Sequence, residues 1–92
     1  MPDTEASFDD LQARIAATIE FLKSVPATAF DGKEGDEVVL KFGPRSVTFP
    51  TAKDYALVFA LPNFYFHATT AYGILRHKGV PLGKLDFIGA SA

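Results

Sequence analysis

The chain contains no cysteine. This excludes a disulfide framework, a thiolate nucleophile and any zinc site built on sulfur, and it fits a reducing compartment. Acidic residues become scarce past Glu37, beyond which only Asp54 and Asp86 occur. From Tyr55 to Leu75 the chain reads YALVFALPNFYFHATTAYGIL, twenty-one positions without Lys, Arg, Asp or Glu. Several chemical signatures are also missing. Gly43-Pro44-Arg45-Ser46 lacks the Gly-Lys-Ser/Thr ending of a phosphate loop. No serine lies in a nucleophile elbow. The stretch Asp31-Gly32-Lys33-Glu34-Gly35-Asp36 is too short for a calcium loop and has no closing glutamate, so it reads as a solvated turn. The opening MPDTEASFDD has no basic segment followed by an apolar one, so no signal peptide is expected and the cytoplasm is the expected location. There is no internal repeat and no low-complexity stretch.

What remains is a small, apolar-rich chain. Ninety-two residues bound it to a single domain, 1–92. Chains this short bury only about 60% of the surface that their unfolded form exposes. Leu, Ile, Val and Phe supply 27 residues, well above the content of a disordered chain. The net charge is −2, and basic residues do not interleave with aromatics, so nucleic acid is not an expected partner. Charge is nevertheless polarised. Residues 1–37 hold nine acids and three bases, whereas residues 38–92 hold two acids and six bases. The two halves are complementary in charge: they read as two solvated faces that differ in sign, or as surfaces that meet, within a chain or between copies.

Periodicity predicts a first helix over about 7–25, where Phe8, Leu11, Ile15, Ile19 and Leu22 form one apolar stripe. Ser7 and Asp10 form a near-capping box, Asp9 and Asp10 suit the positive helix end, and Pro26 stops the run. A β-hairpin is expected over about 38–49, with strands Val38–Phe42 and Ser46–Phe49 around Gly43-Pro44-Arg45. Leu40, Phe42, Val47 or Phe49 must then pack on a helix, because a lone ribbon is marginal. A second helix is expected over about 52–78, opened by Thr51 and Asp54 and closed by Gly79 in the left-handed conformation. Pro62 inside it predicts a kink, or a break with Asn63 capping a second segment. In the C-terminal tail, 80–92, Leu85, Phe87 and Ile88 are spaced to dock on a helix.

The uncharged run is long enough to span a bilayer, but its content argues against insertion. Pro62, Asn63, His67, Thr69, Thr70 and three tyrosines interrupt it, and Lys53-Asp54 and Arg76-His77-Lys78 flank it. No membrane partner is expected. A buried bundle helix fits better. One face would carry Ala60, Phe64, His67, Ala71 and Ile74, a second Leu57, Leu61, Ala68, Tyr72 and Leu75, and a third Phe59, Phe66 and Thr70. The first helix and the hairpin can cover two sides, and the open side predicts a twofold homodimer in which two helical hairpins build a four-helix bundle.

The segment Leu61–Gly89, LPNFYFHATTAYGILRHKGVPLGKLDFIG, preceded by DTEASFDDLQARI and the hairpin, resembles the C-terminal half of an uncharacterised bacterial family of unknown function. That family lies in the DinB-like (YfiT-like metalloenzyme) four-helix-bundle superfamily. The resemblance implies a mainly α fold: a two-helix hairpin with a short β-hairpin, completing a DinB-like bundle as a homodimer. It also implies two further helices ahead of this segment in longer relatives. A natural short form, a fragment, or half of a split protein with a separately encoded N-terminal helical half are all open. DinB-like proteins often hold a divalent metal with three histidines, including an HxxxH pair on the last helix, and some act as thiol-dependent transferases or hydrolases. Here the comparable spacing reads Asn63-x-x-x-His67, so only His67 remains as a metal ligand, in an incomplete site.

Read from the residues alone, His67 is either a hydrogen-bonded core histidine or a metal ligand, and metal sites want three or more converging ligands. His77, between Arg76 and Lys78, reads as a dipole complement. Tyr55, Tyr65 and Tyr72 read as core or interface aromatics with their oxygens at the rim. No catalytic or cofactor-binding residue is assigned. The expectation is a self-associating helical bundle protein of unknown biochemical function, joined through 55–75. The alternative is a metal-dependent enzyme with a shared or degenerate His67 site.

Overall fold

A computed structural model describes residues 2–89. It is mainly helical with one short antiparallel hairpin. The chain divides into two compact units, residues 1–32 and 33–92. The last three positions of the tail, 90–92, lie outside the described residues.

The first unit is built on α1, Phe8–Ser24. Ser7 is its N-cap in extended backbone, and its Oγ accepts from the Asp10 N–H at 3.1 Å. The reciprocal bond of the expected capping box is displaced by one residue, because Asp10 Oδ2 accepts from the Ala6 N–H rather than from Ser7 (3.0 Å). At the other end Val25 leaves the helix in extended backbone, as the residue before a proline must. Two reverse turns follow, closed by Ala29 N–H to Pro26 O and Asp31 N–H to Thr28 O. A single helix cannot bury its own stripe, and Phe8, Leu11, Ile15, Ile19 and Leu22 are all exposed.

The second unit begins with strands β1, Val38–Phe42, and β2, Arg45–Phe49. Their register pairs Val38 with Phe49 and Phe42 with Arg45, so the loop is the two residues Gly43-Pro44. The three-residue loop expected from sequence is one too long. Gly43 adopts φ 59°, as the first central position of a II′ turn requires, and Pro44 supplies the fixed negative φ beside it. This turn matches the strand twist, and Arg45 can therefore join the ladder.

A continuous helical run follows. Thr51 caps α2, Ala52–Asp54, by accepting from the Asp54 N–H (3.0 Å), and the Lys53 N–H donates to Glu34 O, tying the preceding loop to the helix start. Residues Tyr55–Ala60 form a wide π turn, which passes directly into α3, Leu61–His77. Pro62 explains the widening. Its ring would clash with the carbonyl four residues back, and it has no N–H to offer that carbonyl. Opening the turn to a five-residue spacing, as in Leu61 N–H to Ala56 O, relieves both problems without breaking the run. The expected break does not occur, and Asn63 caps nothing: α3 begins two residues earlier, with no side-chain cap.

The end of α3 is as expected. Gly79 takes φ 100°, with Gly79 N–H bonded to Arg76 O and Val80 N–H to Leu75 O, the paired closure of a Schellman motif. The tail then forms a short helix not anticipated from sequence, α4, Lys84–Ile88. It docks through Phe87, edge-on to Tyr72 at 5.2 Å, and through the Tyr72 hydroxyl, which donates to Gly83 O at 2.8 Å. Leu85 and Ile88, like Phe87 itself, stay exposed.

Among the described residues, none is buried, and 22 large hydrophobic side chains are exposed. No helix of the described residues is long and apolar enough to cross a membrane.

Candidate functional site: an aromatic groove beside a π turn

The π turn decides which side chains share a face. An ordinary α-helix advances about 100° per residue, so one additional residue in a turn rotates everything before it by that amount. On a uniform helix Phe59 belongs beside Phe66 and Thr70. In the structure Tyr55 and Phe59 swing onto the face of His67, and Tyr55, Phe59, Ala60, Asn63, Phe64, His67 and Ala68 line one open groove.

One end of the groove is fixed by aromatic packing. Phe59 lies 6.1 Å from Phe42, 5.8 Å from Phe49 and 6.0 Å from Tyr55, and Phe49 meets Tyr55 edge-on at 5.4 Å. The hairpin thus packs on the π turn through Phe42 and Phe49, two of the four side chains expected to do so. Cross-strand pairing places Val38, Leu40, Val47 and Phe49 on one face, and Val38, Leu40 and Phe49 are half-buried. This contact anchors the groove's N-terminal end, and its other end is open.

His67 sits in the open part. It is exposed, meets Phe66 edge-on at 5.3 Å, and among the described residues receives no hydrogen bond. It lines the groove together with Asn63, one helical turn away, as the Asn63-x-x-x-His67 spacing requires. Among the described residues no three His, Asp or Glu side chains come together as metal ligands. One imidazole and one neutral amide on a single chain do not match a three-histidine metal centre. A hydrogen-bonded core histidine does not describe His67 in the single chain either, since it has neither burial nor partner.

The other singled-out residues separate. His77 lies in the last turn of α3 beside Arg76, at the carbonyl end, as a dipole complement should. Tyr65 stacks edge-on against Phe64 and is exposed. Tyr72 anchors α4, a structural task that its hydroxyl performs at the rim of the contact.

A polar cluster in the first unit had no counterpart in the sequence expectations. Arg14 Nη1 donates to Pro2 O at 3.2 Å, to Asp3 Oδ1 at 2.8 Å and to Glu5 Oε1 at 2.5 Å. The hydrogen bond from Arg14 holds the Glu5 carboxyl below the usual carboxylate range, and the same bond raises the Arg14 guanidinium. The charge of Arg14 is satisfied by its own chain, so this is a strap over the helix start and not an anion site. Carboxylates nine and eleven residues ahead of an arginine carry no local periodic signal, which is why the strap was not legible.

Comparison with known proteins bears on the chain as a whole. No curated protein matches it, and no solved structure does. A family model does match, over residues 1–88, covering α1, the hairpin, the π turn, α3 and α4 together, and the chain therefore belongs to the family described as a domain of unknown function, DUF1993.

Proposed function

We propose that the protein is a self-associating helical module, in which two copies cover the apolar faces of α3 and complete a four-helix bundle of the DinB-like kind. One observation carries this reading: none of the described residues is buried, while 22 large hydrophobic side chains are exposed. Monomers rarely expose contiguous apolar patches beyond a few hundred Å2. Phe64, Phe66, Leu57, Leu61, Ile74 and Leu75 all lie on the one helical run, and each is exposed. The occupant is a second copy. The charge split between the chain's two halves makes the molecule complementary to itself, and a twofold axis supplies the two helices that a bundle still needs. Light scattering on untagged protein tests this. The expected mass is twice the 10.0 kDa of the chain. A folded monomer at micromolar concentration overturns the proposal, as does a mass reached only with a separately encoded helical partner.

A second reading is a metal-dependent enzyme of the transferase or hydrolase type. It is favoured by a single observation, that unpartnered His67 and Asn63 share the open groove. A twofold axis near the groove would bring two copies of each together, a donor set with only two imidazoles. Elemental analysis separates the readings: stoichiometric metal that is lost in His67→Ala supports the enzyme, and a metal-free dimer supports the module.

A further inference from the structure

A second concavity lies where α4 meets α3. Thr69, Tyr72, Gly73 and Arg76 share one face of α3, at the three- and four-residue steps of a helix stripe. With Lys84 and Phe87 of α4 they line a cleft of about 270 Å3. All six residues belong to the compact unit 33–92. Their face of α3 lies about half a turn around the helix from that of Phe64, His67, Ala71 and Ile74. A second copy seated on the Phe64 face therefore leaves the cleft open, and the cleft does not depend on the dimer.

Two walls of the cleft are held by contacts already made. The Tyr72 hydroxyl donates to Gly83 O at 2.8 Å, and the Tyr72 and Phe87 rings stand at 85° to each other with centroids 5.2 Å apart. Gly73 is unexplained by its own chain. A glycine inside a helix costs stability relative to alanine. Gly73 is not among the glycines with positive φ, and a Cβ added there would meet nothing within 4 Å. No described residue fills the room it leaves. Arg76 and Lys84 complete the lining, and both are exposed. Among the described residues neither takes part in an ion pair; the pairs formed are those of Arg14 with Asp3 and Glu5. The nearest acid in sequence, Asp86, is engaged by the Gly83 N–H at 2.9 Å.

We infer that the cleft between α3 and α4 is a binding site for a small organic anion with a flat apolar body, of the aromatic carboxylate class. The acid meets the planar guanidinium of Arg76, which suits a carboxylate, and Lys84 adds a second positive charge. The ring packs in the right-angled corner of Tyr72 and Phe87, over the space that Gly73 leaves. The volume falls below the roughly 300 Å3 at which drug-sized sites begin, so one ring and one acidic group suit it. An apolar helix face laid on Gly73 is the competing occupant. It would strip water from two unpaired cations and supply no counter-charge, which is costly.

The test is an NMR titration of the full chain, labelled with nitrogen-15, using benzoate as the probe. Benzamide, neutral and of the same shape, and acetate, charged but without a ring, are the comparators. Saturable shifts of the Gly73, Arg76 and Lys84 amides are expected with benzoate, and weaker binding with both comparators. Arg76→Gln and Lys84→Gln should each weaken benzoate by up to about fivefold, the range of an exposed ion pair. The double variant should lose the preference for benzoate over benzamide. Gly73→Leu should fill the cleft and abolish binding while helix content and solution mass stay those of the parent. No saturable benzoate binding at millimolar concentration overturns the inference. Benzamide binding as tightly as benzoate overturns the anion, and acetate binding as tightly overturns the ring and leaves an adventitious ion only. A Gly73→Leu protein that keeps its helix content but changes its mass shows that the face is a protein contact, which also overturns the site.

Discussion

Arg14 is hydrogen-bonded to Pro2, Asp3 and Glu5 ahead of its own helix, and the consequence is a local pH response. Glu5 is bonded as a carboxylate, so its folded-state value lies below the usual range, with the Arg14 hydrogen bond as the largest cause. A depressed value means that the strap's stabilisation is fully present above the usual carboxylate range. It is lost as pH falls through the lowered Glu5 value. The cluster is solvent-accessible, so the effect should be local order in residues 2–6 and not global stability, and salt should weaken it. In an NMR titration the Glu5 carboxyl should titrate below an ordinary glutamate and the Ala6 amide should shift with it; Arg14→Ala should move Glu5 back toward the ordinary range. A normal Glu5 titration in the parent protein would remove the strap. At Gly79 the prediction is conformational. Its φ of 100° carries both bonds that close α3, and no neighbouring atom would meet a Cβ there. Gly79→Ala should therefore cost about 1 kcal/mol from backbone strain alone, read as a lower thermal midpoint.

At the scale of elements, the boundaries were legible wherever their causes were local. Ser7 and Thr51 cap, Gly79 terminates, and Gly43-Pro44 turns, each through contacts within a few residues of itself. Pro62 was legible only as a problem. A kink, a break and a widened turn all answer the same missing N–H and the same ring clash, and the choice among them depends on what the preceding residues gain. Here the π turn rotates Tyr55 and Phe59 toward Phe42 and Phe49, which a uniform helix would not do. The groove face was half legible for that reason: Ala60, Phe64 and His67 were placed together, but Tyr55 and Phe59 joined them only through the π turn. Two substitutions test this account. Phe59→Ala removes three ring contacts from a half-buried site and should cost about 2 kcal/mol, with faster hydrogen exchange in β1 and β2 than elsewhere. Pro62→Ala restores the N–H, so the turn can relax to α and rotate Phe59 away from the hairpin. Helix content should hold in circular dichroism while the ring-current shifts of Phe49 and Phe59 change; unchanged shifts would mean that packing with the hairpin, not the proline, sets the π turn.

For the whole molecule, the long uncharged run and the lack of a buried side chain among the described residues are one fact seen twice. An apolar helix is stable in water only if something covers it, and neither unit of this chain covers its own stripe. The sequence showed the excess apolar surface because composition alone reveals it, but a partner's identity is not encoded in any local pattern. Phe64 separates a monomer from a dimer sharply, since its side chain is 63% exposed in the single chain. If the protein works as a monomer, Phe64→Asp places a charge in water and should change stability by no more than about 0.5 kcal/mol, the range of ordinary surface substitutions. If α3 is covered by a second copy, the same substitution buries two unpaired carboxylates, one from each copy, at a cost of several kcal/mol per dimer. Light scattering should then report the monomer mass, or circular dichroism a loss of helix, at concentrations where the parent is dimeric. Phe30→Asp is the control: Phe30 is also exposed, but it lies in the turns after α1 and outside both helical stripes, so its mass should stay that of the parent. A Phe64→Asp protein that keeps both its helix content and its dimeric mass would show that the copies meet elsewhere.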